Sequence, residues 1–375
     1  AFGFSLLGTF IVRSGLLTSV HAFANDPDRG IFILGILTFF VGGALILFAL
    51  RTPKLQSEGF FGVTSRESAL VLNNVLLAVS AFVIFVGTIW PLIAEIFFGR
   101  ILSVGPPFFN IVFTPLMIAL GLTLPIGAML PWKRGNLNKI FRSLRFPFVF
   151  ALALAGFIWA LQTGRSLQAP IGLFLGAWIF SGAFVDFLSR AGHTKNFSRL
   201  LRAPRSEWGK LVAHSGLGIT MMAIAGLLAW SKEDIRLARM GETWKVGAYE
   251  MTLRDVRRYT GPNYHANIGD VEVRKNGRLI AVVQPEKRFY PVAKMPTTEA
   301  GIDYRIFRDV YIVLGDRQED GSWTVRSYIK PLANWIWMGS ILMAFGGLLS
   351  LSDRRLRIAP AAHKNKSYSQ ASLAE

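Results

Sequence analysis

Long apolar segments recur along most of this chain, and they constrain its fold more than any other feature. Each holds about 20 mostly apolar residues, which is what a helix needs to cross the hydrocarbon core of a bilayer. Eight such segments cover approximately residues 1–19, 30–50, 67–93, 108–130, 146–163, 169–188, 209–230 and 332–351. The chain is 52% hydrophobic with 30 Phe, too apolar for a water-soluble fold. The sequence predicts a polytopic α-helical membrane protein of about eight spans.

The distribution of basic residues predicts the orientation of these spans. The formal net charge is +18, and Lys and Arg lie mainly in short loops between apolar segments. The loops after spans one, three and five contain only Arg29, Arg100 and Arg165, whereas the other connections and the tail contain 19 basic residues. The positive-inside rule then places both ends in the cytoplasm. No aromatic stacking platform accompanies these basic residues, so we expect them to contact membrane lipid and not nucleic acid.

The sequence contains no cysteine. This chain therefore has no disulfide, thiolate metal site or thiol exchange chemistry of its own, and any sulfur chemistry must come from a partner. Ala1 opens inside an apolar run, without the charged region and cleavage site of a signal peptide. We expect that a preceding segment has been removed.

Residues 231–331 differ in composition from the rest of the chain. Apolar runs shorten, charges of both signs mix, and alternating stretches such as GDVEVR (269–274) predict strands. KNGR (275–278) and Asp320-Gly321 have the residues of hairpin turns. We expect a small β-rich domain, which the topology places in the periplasm.

The chain therefore divides into four predicted regions. They are a transmembrane helical region of about seven spans (1–230), the periplasmic β-rich domain (231–331), the last transmembrane helix (332–351) and a basic cytoplasmic tail (352–375). The end of the tail, from Ala361, is expected to be disordered.

Without cysteine, the five histidines are the best candidates for binding a metal or haem. His193 and His363 lie among cytoplasmic basic residues and in the tail, where a solvated surface histidine is expected. His265 follows a turn of the β-rich domain, and an ordinary loop residue is the favoured interpretation. His21 and His214 are the two that remain.

His214 lies in LVAHSGLG (211–218), within the first turns of the seventh span. Ionisable residues inside a membrane are functional candidates by default. Its small neighbours Ser215, Gly216 and Gly218 would let a flat macrocycle approach the helix, and close helix packing explains them equally well. A haem held by two histidines needs a second one at similar depth. None of the other four lies there, so we expect that ligand upstream.

His21 lies just beyond the first span, in TSVHAFA (18–24), and a turn-forming string follows it. It is well placed to meet a ligand at the outer surface, and an interfacial histidine among lipid headgroups is the alternative. Arg13 lies within the first span. It could pair with a carboxylate such as a haem propionate, or extend its guanidinium to the membrane surface.

The segment LGTFIVRSGLLTSVHAFA (7–24) closely resembles the part of the CcmF cytochrome c biogenesis proteins that carries a periplasmic haem-ligand histidine. The resemblance to the C-terminal part of this family, which includes CycK, NrfE and CcsA, covers nearly the whole chain. It continues in SVGPPFFN (103–110), GPNY (261–264), PEKRFYPV (285–292), TEAGID (298–303) and RDVY (308–311).

The resemblance implies roles for two histidines. His21 falls at a periplasmic haem ligand of the family, and His214 falls where the family has one axial histidine of a transmembrane haem b. Arg13 remains a candidate propionate contact. The family's tryptophan-rich motif, its first periplasmic histidine and its second haem b ligand all precede this part of the family. This chain alone is therefore not expected to form the complete periplasmic haem site.

The resemblance also implies an enzyme, a cytochrome c haem lyase of the bacterial inner membrane. Such a lyase receives haem from the chaperone CcmE and joins its vinyl groups to the thiols of a Cys-x-x-Cys-His segment in apocytochrome c. CcmH and CcmI-type subunits are the implied partners. Quinol is the implied electron donor to the haem b, which would relay electrons. No residue is singled out as catalytic.

Two alternatives stay open. One is a membrane scaffold that presents haem without attaching it, and the other is a transporter of a haem-like or lipid substrate. No inverted repeat supports transport, although Pro115 and Pro125 are expected to interrupt the fourth span.

Overall fold

The computed structural model describes residues 2–15, 26–54, 62–161, 167–190, 200 and 202–353. The chain divides into two compact units. One comprises Ala1–Leu120 with Leu130–Gly135, and the other comprises Gly121–Met129 with Asn136–Glu375.

The helices follow the apolar segments of the sequence. They are α1 (Phe2–Ser14), α2 (Pro27–Leu37), α3 (Gly43–Arg51), α4 (Arg66–Phe98), α5 (Pro106–Met129), α6 (Leu137–Leu161), α7 (Gln168–Arg190), α8 (Arg205–Trp230) and α9 (Ala333–Leu351). A π-helical turn, Thr38–Gly42, joins α2 to α3, and a 3₁₀ turn, Thr52–Lys54, follows α3.

The predicted fold class is confirmed. Within the described residues, seven helical segments are long and apolar enough to cross a bilayer, and Pro27–Lys54 counts as one of them. The first predicted span corresponds to α1, which has 13 residues. Residues 16–25 after it lie outside the part of the chain that the structure describes.

The expected interruption of the fourth span is wrong. Helix α5 continues through both Pro115 and Pro125. Pro125 is buried, and a Cβ placed on Gly182 of α7 would lie 2.7 Å from it. Proline is tolerated inside membrane helices where neighbouring helices and local adjustment compensate for the hydrogen bond that it removes.

Ten strands form two antiparallel sheets, as in a β-sandwich. They are β1 (Lys232–Ala238), β2 (Thr243–Val246), β3 (Tyr249–Thr260), β4 (His265–Lys275), β5 (Arg278–Val283), β6 (Glu286–Tyr290), β7 (Met295–Glu299), β8 (Gly301–Arg305), β9 (Arg308–Arg317) and β10 (Trp323–Pro331). One sheet has the order β1-β10-β9-β8, and the other has the order β2-β3-β4-β6-β7, with β5 paired to β4.

Alternating side chains of the two sheets fill one apolar core. On β9, Val310, Ile312 and Leu314 are fully buried, whereas Tyr311 and Val313 between them are partly exposed. This is the period of two that a strand with one buried face requires. The core contains Ala238, Trp244, Val246, Met251, Leu253, Val271, Val273, Val283, Val310, Ile312, Leu314, Trp323, Val325 and Ile329.

The two predicted hairpin turns are present. Asn276 and Gly277 connect β4 to β5 with φ angles of 52° and 75°, as a two-residue type I′ turn requires. Gly321, between β9 and β10, has a φ of 84°. Both turns use residues that adopt the left-handed region at low cost.

A buried carboxylate connects the sandwich to the last helix. Asp309 is 6% exposed. It accepts hydrogen bonds from the Asn334 side chain of α9 at 2.8 Å and from the Arg305 backbone N–H at 3.3 Å. Burial raises the pKa of the Asp309 carboxyl, although both hydrogen bonds act in the opposite direction.

Asp309→Asn is expected to make stability less sensitive to pH. A carboxyl whose folded pKa lies above its unfolded value costs stability as pH rises from the ordinary carboxyl range through that raised pKa. Asparagine keeps an acceptor oxygen for Asn334 without the charge. Thermal unfolding of both proteins at about pH 4 and about pH 7 measures the difference. We expect the variant to lose less thermal stability than the unmodified protein on going from the lower to the higher pH. Equal losses of stability in the two proteins would contradict a raised pKa of the Asp309 carboxyl.

Candidate functional site

Helix α8 positions His214 well inside the membrane-spanning part of the chain. The helix runs from Arg205 to Trp230, and the sandwich begins two residues later at Lys232. His214 lies 16 residues before Trp230, which corresponds to about 24 Å along a helix. A ligand held at His214 would therefore lie in the half of the bilayer opposite the sandwich.

Glycines of α8 allow close contact with α9. A Cβ on Gly216 would lie 2.6 Å from the Gly339 carbonyl oxygen, and a Cβ on Gly209 would lie 2.5 Å from the Gly346 oxygen. Such stripes of small residues let membrane helices approach at backbone distance.

A third glycine of α8 faces α7. A Cβ on Gly218 would lie 2.7 Å from the Gly176 carbonyl oxygen, and Ser215 is also buried. Of the two explanations for the small residues beside His214, close helix packing is the one visible in the structure. These faces of α8 are occupied by neighbouring helices.

His214 lies on a different face of α8 from Gly216. With 3.6 residues per turn, it shares a face with Lys210, Leu217 and Met221, and these four side chains are partly exposed. Gly218 lies at the edge of the same face, where it packs against α7. The structure shows no hydrogen bond from the His214 ring to another described residue. Asp186 and Lys210 are the charged groups near enough to influence it. An imidazole in such a position can supply one axial ligand to a haem iron.

A compact ion cluster lies one helical turn from His214. The Lys210 ammonium is 2.7 Å from the Asp186 carboxylate and 2.8 Å from Glu207, and Arg190 Nε is 2.8 Å from Asp186. Arg190 also donates to the Ala128 carbonyl oxygen at 2.8 Å. Two acids balance two bases, so the cluster ties α7 to α8 without a net charge.

The sequence prediction missed this cluster. The spacing of Asp186 and Arg190 (i, i+4), together with that of Glu207 and Lys210 (i, i+3), is the pattern of paired helical charges. The contact between the two pairs depends on how α7 and α8 pack, which spacing alone does not specify.

Arg13 belongs to the first unit. The Arg13 carbonyl oxygen accepts a hydrogen bond from the Asp26 backbone N–H at 3.0 Å, so the two ends of the segment that contains His21 lie together. Asp26 also caps α2 by accepting from the Arg29 N–H at 3.2 Å. His21 itself, like His193 and His363, lies outside the described residues.

His265 lies at the start of β4 and lines a cavity of about 690 Å³ between the two sheets. Its Nδ1 is 3.3 Å from the Thr260 hydroxyl. Arg258, Lys287 and Arg317 also line the cavity. The described residues contain no group of three or more His, Asp or Glu side chains placed to hold a metal ion.

Comparisons with known proteins agree with this architecture. Residues 229–331 match the sequence model of a family described as the CcmF C-terminal beta-sandwich. A solved structure named Cytochrome c Heme Lyase CcmF superposes with a TM-score of 0.70 at 26% sequence identity, over 94% of this chain and 53% of that one.

Curated relatives match almost the entire sequence. Cytochrome c-type biogenesis protein ccl1 of Rhodobacter capsulatus is 55% identical over 97% of this chain and 55% of its own length. CycK of Bradyrhizobium diazoefficiens is 43% identical over 97% and 56%, and CcmF of Escherichia coli is 40% identical over 95% and 54%.

The chain thus spans about half the length of the curated relatives it matches. Similarity over all but a few of its residues extends through both the helices and the sandwich. The chain belongs to the CcmF family of cytochrome c-type biogenesis proteins, and it carries the family's C-terminal β-sandwich.

Proposed function

We propose that this chain is part of a cytochrome c haem lyase and holds a transmembrane haem b through His214. The observation that carries the haem proposal is the environment of that imidazole. It is partly exposed, one helical turn from the ion cluster and without a hydrogen bond to any other described residue, while other faces of its helix are filled by α7 and α9. The family membership supports the lyase activity.

His214 would supply one axial ligand, and the second would come from a part of the protein outside this chain. When bound, the haem supplies one-electron chemistry. The neutral ion cluster of Asp186, Arg190, Glu207 and Lys210 would hold α7 and α8 in register, which fixes the position of the imidazole. Quinol is the proposed source of electrons.

His21 is proposed as an axial ligand of the incoming haem on the periplasmic side, and Arg13 as a contact of a propionate. The hydrogen bond from the Asp26 N–H to the Arg13 carbonyl oxygen supports assigning His21 and Arg13 to one site. It brings together, at the end of α1, the residues on either side of the segment that contains His21. The distribution of Lys and Arg between the loops supports a periplasmic sandwich and a cytoplasmic C-terminus in a bacterial inner membrane.

The substrates of the proposed reaction are haem delivered by CcmE and an apocytochrome c with a Cys-x-x-Cys-His segment. Each thiol adds across one vinyl group, with its sulfur bonded to one carbon and its hydrogen to the other, so atoms and electrons balance. The absence of cysteine from this chain fits a mechanism in which both thiols come from the client. CcmH and CcmI-type subunits are the proposed partners.

Turnover separates this function from a haem-presenting scaffold. The full-length protein with its partner subunits, reductant, haem-loaded CcmE and apocytochrome c is expected to yield covalently bound haem, seen as a c-type pyridine haemochrome spectrum. An apocytochrome whose two motif cysteines are replaced by alanine is the control and should give no covalent product. Haem transfer without covalent attachment to the intact client would support the scaffold and contradict the lyase.

A further inference from the structure

The β8–β9 hairpin ends in residues that are unusual for a turn. Its two-residue turn is Ile306-Phe307, whereas the β4–β5 hairpin of the same sandwich has Asn276-Gly277. Turns exposed to water favour Gly, Asn, Asp, Ser and Pro. Ile306 and Phe307 are each 66% exposed, and the preceding Tyr304 is 65% exposed. Three large apolar or aromatic side chains thus project from one tip.

The tip is fixed against the first turn of α9. The Leu332 backbone N–H donates to the Phe307 carbonyl oxygen at 3.0 Å, and the Asn334 side chain donates to the Arg305 carbonyl oxygen at 2.9 Å. The Phe307 ring stacks on Trp335, with centroids 5.9 Å apart and planes at 22°. The tip therefore lies level with the beginning of a membrane span.

Other aromatic residues mark the same level. Trp230 ends α8, and Trp335 and Trp337 lie in the first turns of α9. Trp337 is 71% exposed. Tryptophan and tyrosine are enriched where membrane helices meet the headgroup region. The hairpin tip continues this belt from the helices onto the sandwich.

We propose that the tip formed by Tyr304, Ile306 and Phe307 inserts into the headgroup and acyl-chain boundary of the leaflet on the side of the sandwich. Lipid is the occupant that the position favours, because the tip is bonded to a helix that enters the bilayer at that point. Insertion removes the apolar side chains from water. It adds a lipid contact to the two covalent connections through α8 and α9, and it fixes the tilt of the sandwich on the membrane.

Spin labelling tests the proposal directly. The chain has no cysteine, so a nitroxide can be attached at Ile306→Cys in the full chain reconstituted in phosphatidylcholine and phosphatidylglycerol nanodiscs. Oxygen concentrates in the bilayer, and a nickel chelate stays in water. We expect the label at position 306 to collide more with oxygen than with the chelate.

Asp320→Cys is the matched control, because it lies in the turn at the opposite end of β9. Ten strand residues separate the two turns, or about 30 Å, and we expect the order of collision rates to be reversed there. A second label at Tyr304→Cys should behave like position 306. Chelate collisions above oxygen collisions at both tip positions would overturn the proposal, and so would low rates for both reagents, which would show protein covering the tip.

Discussion

His214→Ala is expected to lower the cellular yield of holocytochrome c by about tenfold or more. Loss of residues that only support a metal ligand commonly costs 10–100-fold, and loss of the ligand itself should cost at least as much. The proposed reason is that the lyase can no longer hold the haem b that keeps its substrate haem reduced. Haem staining of membranes from a strain with the chromosomal copy replaced would measure the yield.

His265→Ala is the control for that experiment. His265 is exposed on the sandwich, and among the described residues its ring hydrogen-bonds with the Thr260 hydroxyl alone. We therefore expect a yield close to that of the unmodified protein. Comparable membrane levels of both variants must be shown by immunoblot. An unchanged yield with His214→Ala at normal protein level would contradict the electron-relay role.

Gly346→Ala is expected to destabilise the packing of α8 against α9. The new Cβ would lie 2.5 Å from the Ala213 backbone nitrogen and 2.6 Å from the Gly209 carbonyl oxygen. Backbone atoms cannot move aside as a flexible side chain can, so the helices must separate. Overpacking of this kind costs about 1–3 kcal/mol, which should appear as a lower unfolding temperature in detergent.

Gly347→Ala provides a control one residue away on the same helix. A Cβ at Gly347 meets nothing within 4 Å, and alanine has a higher helix propensity than glycine. We expect an unchanged or slightly higher unfolding temperature. Equal decreases for the two variants would mean that α8 and α9 do not approach as described.

The general fold is predictable from this sequence because lipid and water impose different residue patterns on the membrane helices and on the sandwich. Long apolar segments such as that of α9 are readable without tertiary information, since a span must match the bilayer thickness. The strand alternation around Val271 and the Asn276-Gly277 turn are local signals as well. The continuity of α5 through Pro125 was not predictable, because proline inside a membrane helix is tolerated where neighbouring helices compensate, and Pro125 packs against Gly182 of another helix.

The candidate site was only partly predictable. The sequence identified His214, but two explanations for Gly216 and Gly218 stayed equal until the neighbours of each glycine were known. The contact between Asp186 and Lys210 joins residues on two helices, and charge spacing within one helix does not reveal it. His21 lies outside the described residues, so its role remains a prediction from the resemblance.

The optical spectrum of the purified full-length protein tests the central proposal most directly. The dithionite-reduced protein should show a b-type haem signal that pyridine haemochrome analysis identifies and a redox titration resolves. In His214→Ala that signal should be lost from protein that still elutes as a folded species, whereas His265→Ala should retain it. An unchanged b-type spectrum and potential in His214→Ala would contradict haem ligation by His214 and leave this residue a role in helix packing.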